Sequence, residues 1–182
     1  QACGQAGIRL DDAICGTVIY GNVFYRASDG NFGGVQIHGG KDNWIDNNLF
    51  VDCRFGISLS CWTEERWAEF LDSDTIKGFM SAVKATEPPY SIRYPELARL
   101  QENPFVNRIW RNLSVNCVNF LVRGGDKQDT LDNTVTRIDP GFLDLTSGNL
   151  AWKADAPGLR MSGFRPIPID EIGLYQDDLR KE

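Results

Sequence analysis

Short stretches of alternating apolar and polar residues recur along the chain, and four of them open on an asparagine: Tyr20-Gly21-Asn22-Val23-Phe24-Tyr25, Asn47-Asn48-Leu49-Phe50-Val51, Arg111-Asn112-Leu113-Ser114-Val115 and Asp132-Asn133-Thr134-Val135-Thr136. A second pattern follows a glycine, as Gly7-Ile8-Arg9-Leu10, Gly34-Val35-Gln36-Ile37 and Gly56-Ile57-Ser58-Leu59, and then, with Asn119 in the glycine's place, Phe120-Leu121-Val122. Alternation of this kind predicts short strands. Asn22 to Asn48 spans 26 residues, Asn112 to Asn133 spans 21 and Gly34 to Gly56 spans 22. The exception is Asn48 to Asn112, at 64, which contains a stretch without alternation at about 62–104; without that stretch the spacing returns to 21. Isolated hairpins with asparagine turns would show no common period. A propeller blade needs roughly 40 residues, and the leucine spacing of a leucine-rich repeat is missing. A coil of stacked parallel strands fits, each turn of it burying its inner face only by lying on the next at about 4.8 Å. The repeated asparagine has a role at a tight bend, where it tolerates left-handed geometry and its amide can bond to its counterpart one coil away.

The fold class expected is therefore all-β, a β-helix solenoid with coils at about 7–61 and 105–138, interrupted by an insertion at about 62–104. The insertion reads as helical. Thr63 is a candidate N-cap before Glu64-Glu65-Arg66-Trp67-Ala68-Glu69-Phe70-Leu71, Ile76 to Val83 suits a second helix, and Pro88-Pro89 precedes a third starting near Tyr94. Such an excursion either decorates a binding face or covers the solenoid's side. From Asp139-Pro140-Gly141-Phe142 the repeat is lost. The loop-rich tail at about 139–182 is expected to cover the solenoid's open end. Gly7 already begins a full coil, so the N-terminal end calls for upstream coils or a partner subunit.

Composition changes this picture little. The 182 residues are 42% hydrophobic and 24% charged, ordinary for a globular domain. A net charge of −6 argues against binding a phosphate backbone as the main task. No apolar run approaches the ~18 residues that would cross a membrane. Gln1 to Gly7 has no signal-peptide pattern, which is consistent with a leader already removed. Five cysteines (Cys3, Cys15, Cys53, Cys61, Cys117) form no C-x-x-C motif. Cys53 and Cys117, each five residues after its asparagine, should stack on neighbouring coils as buried thiols or as a disulfide.

Period two also assigns directions. With Ile8 and Leu10 inward, two outward columns result: Arg9, Gln36, Ser58, Leu121 and Asp11, His38, Ser60, Arg123. Asp11 and His38, the only histidine, should lie about one strand spacing, near 5 Å, apart. A carboxylate there can set the tautomer of the imidazole, an arrangement suited to acid–base work; an ordinary solvated pair is the other reading. Asp12 at the turn can face either way. Gly39 and Gly40 would admit a ligand close to the backbone. Asp11, Asp12 and His38 are thus the candidate catalytic residues. Arg9, Gln36, Lys41, Ser58, Ser60, Trp62 and Arg123 are candidates for holding a ligand, with Asp42 and Arg54 nearby. Trp62 is either a platform for a sugar ring or an anchor for the inserted helices.

Gly7-Ile8-Arg9-Leu10-Asp11-Asp12, Gly34-Val35-Gln36-Ile37-His38-Gly39-Gly40 and Asn47-Asn48-Leu49-Phe50-Val51-Asp52-Cys53 resemble bacterial right-handed parallel β-helix repeat proteins of the pectin-lyase-like superfamily. Pro89-Tyr90-Ser91, Arg93-Tyr94-Pro95-Glu96-Leu97 and the ending from Asp139-Pro140-Gly141-Phe142 to Ile172-Gly173-Leu174-Tyr175 extend the likeness over nearly the whole chain, as the C-terminal part of longer members. The resemblance implies a right-handed coil, a polysaccharide or oligosaccharide partner, and a secreted or periplasmic bacterial protein. Its relatives act as glycoside hydrolases, polysaccharide lyases or uronate epimerases, or have no known activity, and a shared fold does not fix the chemistry. A hydrolase would use Asp11 and Asp12 as its two carboxyl groups. A lyase or epimerase would use a base with Arg9, His38, Lys41 and Arg123 against a uronate carboxylate. A non-catalytic glycan-binding or structural β-helix is the third expectation. No cofactor is expected; calcium on Asp11 and Asp12 is the alternative.

Overall fold

The computed structural model describes residues 5–28, 30–161 and 163–173; Cys3, Leu174 and Tyr175 lie outside them. The chain runs through β1 (Ile8–Leu10), β2 (Val18–Tyr20) and β3 (Val23–Tyr25), then repeats the circuit with β4 (Val35–His38), β5 (Trp44–Asp46) and β6 (Leu49–Val51). The third circuit is β7 (Phe55–Ser60), β8 (Arg108–Trp110) and β9 (Leu113–Val115), and the fourth is β10 (Asn119–Val122), β11 (Asp129–Leu131) and β12 (Thr134–Thr136). Corresponding strands of successive circuits pair in parallel, giving three four-stranded sheets of a parallel β-solenoid: β1-β4-β7-β10, β2-β5-β8-β11 and β3-β6-β9-β12.

Period two builds the interior. In β2, Ile19 is 4% exposed while its neighbours Val18 and Tyr20 are 63% and 52% exposed. Ile19, Ile45 and Ile109 form one inward column, Leu10, Ile37 and Leu59 another. Phe24 and Phe50 stack at 4.8 Å between ring centres. Full burial of each such side chain stabilises the fold by about 1.5–3 kcal/mol.

At the turn from second to third sheet, Asn22, Asn48, Asn112 and Asn133 form a ladder. The side-chain oxygen of Asn112 accepts from the backbone N–H of Asn48 (2.9 Å) and from its amide (3.1 Å), and the other steps repeat this. The amides of Asn48 and Asn112 also donate to Ile19 and Ile45 carbonyls at 2.8 Å. The left-handed residue is the one before: Gly21, Asn47, Arg111 and Asp132 have φ between 50° and 68°. The expectation that the ladder asparagine itself takes that geometry is corrected.

Between β7 and β8 lie α1 (Glu64–Asp72), α2 (Asp74–Ala82), the single turn α3 (Tyr90–Arg93) and a 3₁₀ turn at Pro95–Arg99. Thr63 caps α1 by accepting from the N–H of Arg66 at 3.2 Å. Trp67, 2% exposed, fastens the insertion against Ala13 and Phe105, its indole donating to the Leu100 carbonyl at 2.9 Å.

Beyond β12, β13 (Phe142–Asp144) and β14 (Asn149–Trp152) form an antiparallel pair. Phe142, Leu150, Phe164 and Ile167 pack on Leu49, Val51, Leu113 and Val115, the outward residues of the third sheet. As far as residue 173 the tail covers a flank, and the remainder of the stretch expected to cover the solenoid's open end lies outside the described residues. Except for Ser114 and the threonines of β12, the third sheet is apolar on both faces, so its outer face needs cover of its own. Val135, which continues the inward column of Phe24 and Phe50, is left 58% exposed at the last coil. Cys53 and Cys117 are free buried thiols of neighbouring coils. Their mutual hydrogen bond, with burial, pushes the Cys53 thiol up. No helix among the described residues is long and apolar enough to cross a membrane.

Candidate functional site

The first sheet ends on a cluster of ionisable groups. β1 delivers Arg9 outward, and the turn after it, with left-handed Asp12 and Ala13, folds both aspartates toward His38 at the end of β4. His38 Nδ1 lies 3.0 Å from Asp11 Oδ1 and 3.3 Å from Asp12 Oδ1. Arg9 Nη2 donates to the same Asp11 oxygen at 3.0 Å. Ligand atoms of the two carboxylates and the imidazole all fall within 4.8 Å of one another. Asp11 feels some desolvation, which raises its pKa, but the hydrogen bond and charge of Arg9, with His38 behind them, hold it below the usual carboxylate range. The indole N–H of Trp62 points at His38 Nε2 from 3.4 Å. An indole can only donate, so Nε2 is the acceptor and the neutral ring carries its proton on Nδ1, facing the carboxylates.

The other predicted residues lie elsewhere than expected. Gln36 and Ser58 do point away from the core, but they are 1% and 0% exposed, and the expectation that they meet water is corrected. The segment before β4 folds over them. Gly33 N–H donates to Ser58 Oγ at 2.7 Å, Ser58 Oγ donates to Gln36, and Gln36 donates to Ser60 Oγ at 3.0 Å. In β10, Leu121 pairs with Ile57 and packs inward, while Val122 stands opposite Ser58. The expected column is therefore off by one in the last coil. Arg123 does not stack on Ser60; it bends back to donate to the carbonyls of Leu59 (3.0 Å) and Asn31 (2.5 Å) and to Gln36 (3.3 Å). Lys41, expected on the open wall, is 4% exposed; its ammonium bonds to the carbonyls of Arg99 and Glu102, tying the insertion's end to the solenoid. Trp62 is half-buried against Trp67 and Phe70, and the Arg66 guanidinium lies 3.9 Å from its ring centre, so a sugar meets that face already taken. Two carboxylates and one nitrogen are a poor set for calcium, which takes six to eight oxygens.

Two features escaped the sequence pattern. A second ladder runs through the turn from first to second sheet. Thr17 N–H bonds Asn43 Oδ1 at 3.0 Å, Asn43 N–H bonds Asn107 Oδ1 at 3.1 Å, and Asn107 N–H bonds Gln128 Oε1 at 2.9 Å. A groove of about 490 Å³ lies between the insertion and the outer face of the second sheet, lined by Val18, Trp44, Tyr94, Leu97, Leu100 and Arg108 among others. No local signal marks it: Trp44 stands opposite Arg108 on the second sheet, and Tyr94, Leu97 and Leu100 reach them only through the fold of the insertion.

Comparison with known proteins returns no match: no family model, no curated protein and no solved structure matches the chain.

Proposed function

We propose that this chain is a polysaccharide-acting, right-handed parallel β-helix protein of the pectin-lyase-like kind, and that its reaction is glycoside hydrolysis at Asp11 and Asp12. The observation that carries the reading is the pair of exposed carboxylates, with His38, within 4.8 Å on a solvent-facing wall of a parallel solenoid. Glycosidases need two carboxyl groups flanking the bond, and a separation near 5 Å suits retention of configuration. In this reading Asp11, held ionised by Arg9, attacks the anomeric carbon while the glycosidic C–O bond breaks. Asp12, the more exposed at 77%, gives its proton to the leaving oxygen, then takes one from the water that releases the sugar. His38 orients both carboxylates.

A lyase or epimerase needs a cation to neutralise a uronate. Here Arg9 is tied to Asp11, Lys41 is buried, and Arg123 is engaged by two carbonyls and Gln36. With the hydrolase reading go an oligosaccharide partner and a secreted or periplasmic bacterial setting. The test is incubation with a panel of neutral and uronic polysaccharides. New reducing ends without the ultraviolet absorbance of an unsaturated uronate are expected, with the first-formed anomer keeping its configuration. Asp11→Asn should lower the rate by ~100-fold or more. Unsaturated products would mean a lyase, and an unchanged rate in Asp11→Asn would remove the site.

A further inference from the structure

The proposed reaction leaves the second wall of the solenoid unused. Outward positions of the second sheet set Val18, Trp44 and Arg108 in one column, where a fully polar face would be expected of a solvated sheet. Tyr94, Leu97 and Leu100 of the insertion face them, and Tyr94 remains 44% exposed. The 490 Å³ of this half-open groove lies within the ~300–1,000 Å³ of small-ligand clefts. A hollow of about 330 Å³ extends it, sharing Asp42, Glu96 and Arg108 and adding Asp129.

The charges along this cleft cancel locally. Lys41 sits 3.5 Å from Asp42, Arg99 bonds Glu102 at 2.5 Å, and Arg108 lies 4.0 Å from Asp129 and 5.1 Å from the centre of the Trp44 ring. A polyanion would run against Asp42 and Glu96. A purely apolar segment would strip water from those carboxylates and from Arg108 without replacing its hydrogen bonds. An uncharged ligand with an apolar face and a rim of hydroxyls meets both demands: its C–H face lies on aromatic and aliphatic side chains while its hydroxyls donate to the carboxylates. One turn joins this cleft to the first wall, since Asp11 and Asp12 begin it and Cys15 and Gly16, four residues on, line the groove.

We propose that the groove between the second sheet and the insertion binds a neutral oligosaccharide, as a holding site separate from Asp11. The assignment of a sugar rests on the polysaccharide reading above; the demand for an uncharged, hydroxylated ligand stands on the cleft alone. The test titrates the full chain with cellohexaose, xylohexaose and hexagalacturonate by calorimetry. Saturable binding of a neutral hexasaccharide is expected, weakened about ten-fold or more by Trp44→Ala and by Tyr94→Ala. Tyr94 is exposed on the insertion, so its variant keeps the test open should Trp44→Ala not fold. Binding of neither neutral sugar, preference for hexagalacturonate, or an affinity indifferent to Tyr94→Ala would overturn the proposal. Neutral-sugar binding that depends on Tyr94, in a protein that hydrolyses nothing, would support the groove and overturn the reaction assigned to Asp11.

Discussion

Of the turns in each coil of this solenoid, the one from second to third sheet has a fixed length and the one from first to second sheet a free length, and both are held by the same device. From second to third sheet the turn is always two residues, a left-handed one and a ladder asparagine: Gly21-Asn22, Asn47-Asn48, Arg111-Asn112, Asp132-Asn133. From first to second sheet the turn occupies 11–17, 39–43, 61–107 and 123–128. Yet this variable turn also ends on a side chain that accepts the backbone N–H of the coil before it, through Asn43, Asn107 and Gln128. A ladder at the exit of a turn reseats the chain before the next strand, whatever happened upstream. Closing a longer loop costs only slowly more entropy, so such a turn can hold an insertion without disturbing the coil. Asp11, Asp12, Trp62 and Tyr94 all lie in it, as expected of loops carried by a rigid scaffold.

The largest effect expected separates the two ladders. Asn112→Ala removes the acceptor for Asn48 N–H and the donor to the Ile45 carbonyl, both buried, at a cost of about 3–5 kcal/mol. Asn107→Ala likewise strands Asn43 N–H, but the Phe105 carbonyl keeps its bond from Gln128 at 3.1 Å, so about 1–3 kcal/mol is lost. Urea midpoints at equal slope measure both. Equal losses would break the comparison, because they would make the free turn as rigid as the fixed one.

What could be read from the chain follows the same division. The fixed turn was legible because one residue type recurs at near-constant spacing, and with it the parallel coil and the nearness of Asp11 to His38. The exit ladder was not, since its members change from Thr17 to Asn43, Asn107 and Gln128 and the insertion separates two of them. The register of β10 failed for a related reason. Gly7, Gly34 and Gly56 mark one position in three coils, and Asn119 was read as its fourth occupant. The pairing of Leu121 with Ile57 puts Phe120 there instead, where its ring packs on Phe50 at 6.0 Å. Burial of Gln36 and Ser58 depends on a loop closing over them, and the groove on where the insertion comes to rest. Neither has a local signature.

A smaller effect tests whether the longest turn reaches back into the chemistry of the shortest strands. Trp62 belongs to the 61–107 turn, yet its N–H meets His38 one sheet position away. Trp62→Phe keeps the ring that packs on Trp67 and Phe70 but removes that donor. With a single histidine, nitrogen-15 spectra of the neutral imidazole report one tautomer without ambiguity. The wild type should carry its proton on Nδ1, and the variant should admit the Nε2–H form while losing at most about ten-fold in hydrolysis. A wild type protonated on Nε2 would show that the insertion does not orient the site.

The smallest effect concerns Arg9, which projects from a strand rather than from either turn. Its hydrogen bond and charge are the main causes that lower the Asp11 pKa, while desolvation opposes them and His38 assists. A carboxylate nucleophile works only when ionised, so the acid limb of hydrolysis in the wild type should fall below ordinary carboxylate titration. In Arg9→Gln desolvation is opposed by His38 alone, and that limb should move up in pH, with the rate near neutrality unchanged. Stability follows the same sign. A depressed carboxyl pKa stabilises the fold above the unfolded value, and that contribution fades as pH falls through the folded one. The variant should lose part of it, and only slightly, because Arg9 and Asp11 are 40% and 45% exposed and water screens the pair. Arg9→Lys, which keeps the charge, should return the limb toward its wild-type position. A limb that stays in place in Arg9→Gln would assign the ionised state of Asp11 to His38 and the turn, and would make the first coil's chemistry a property of its variable turn alone.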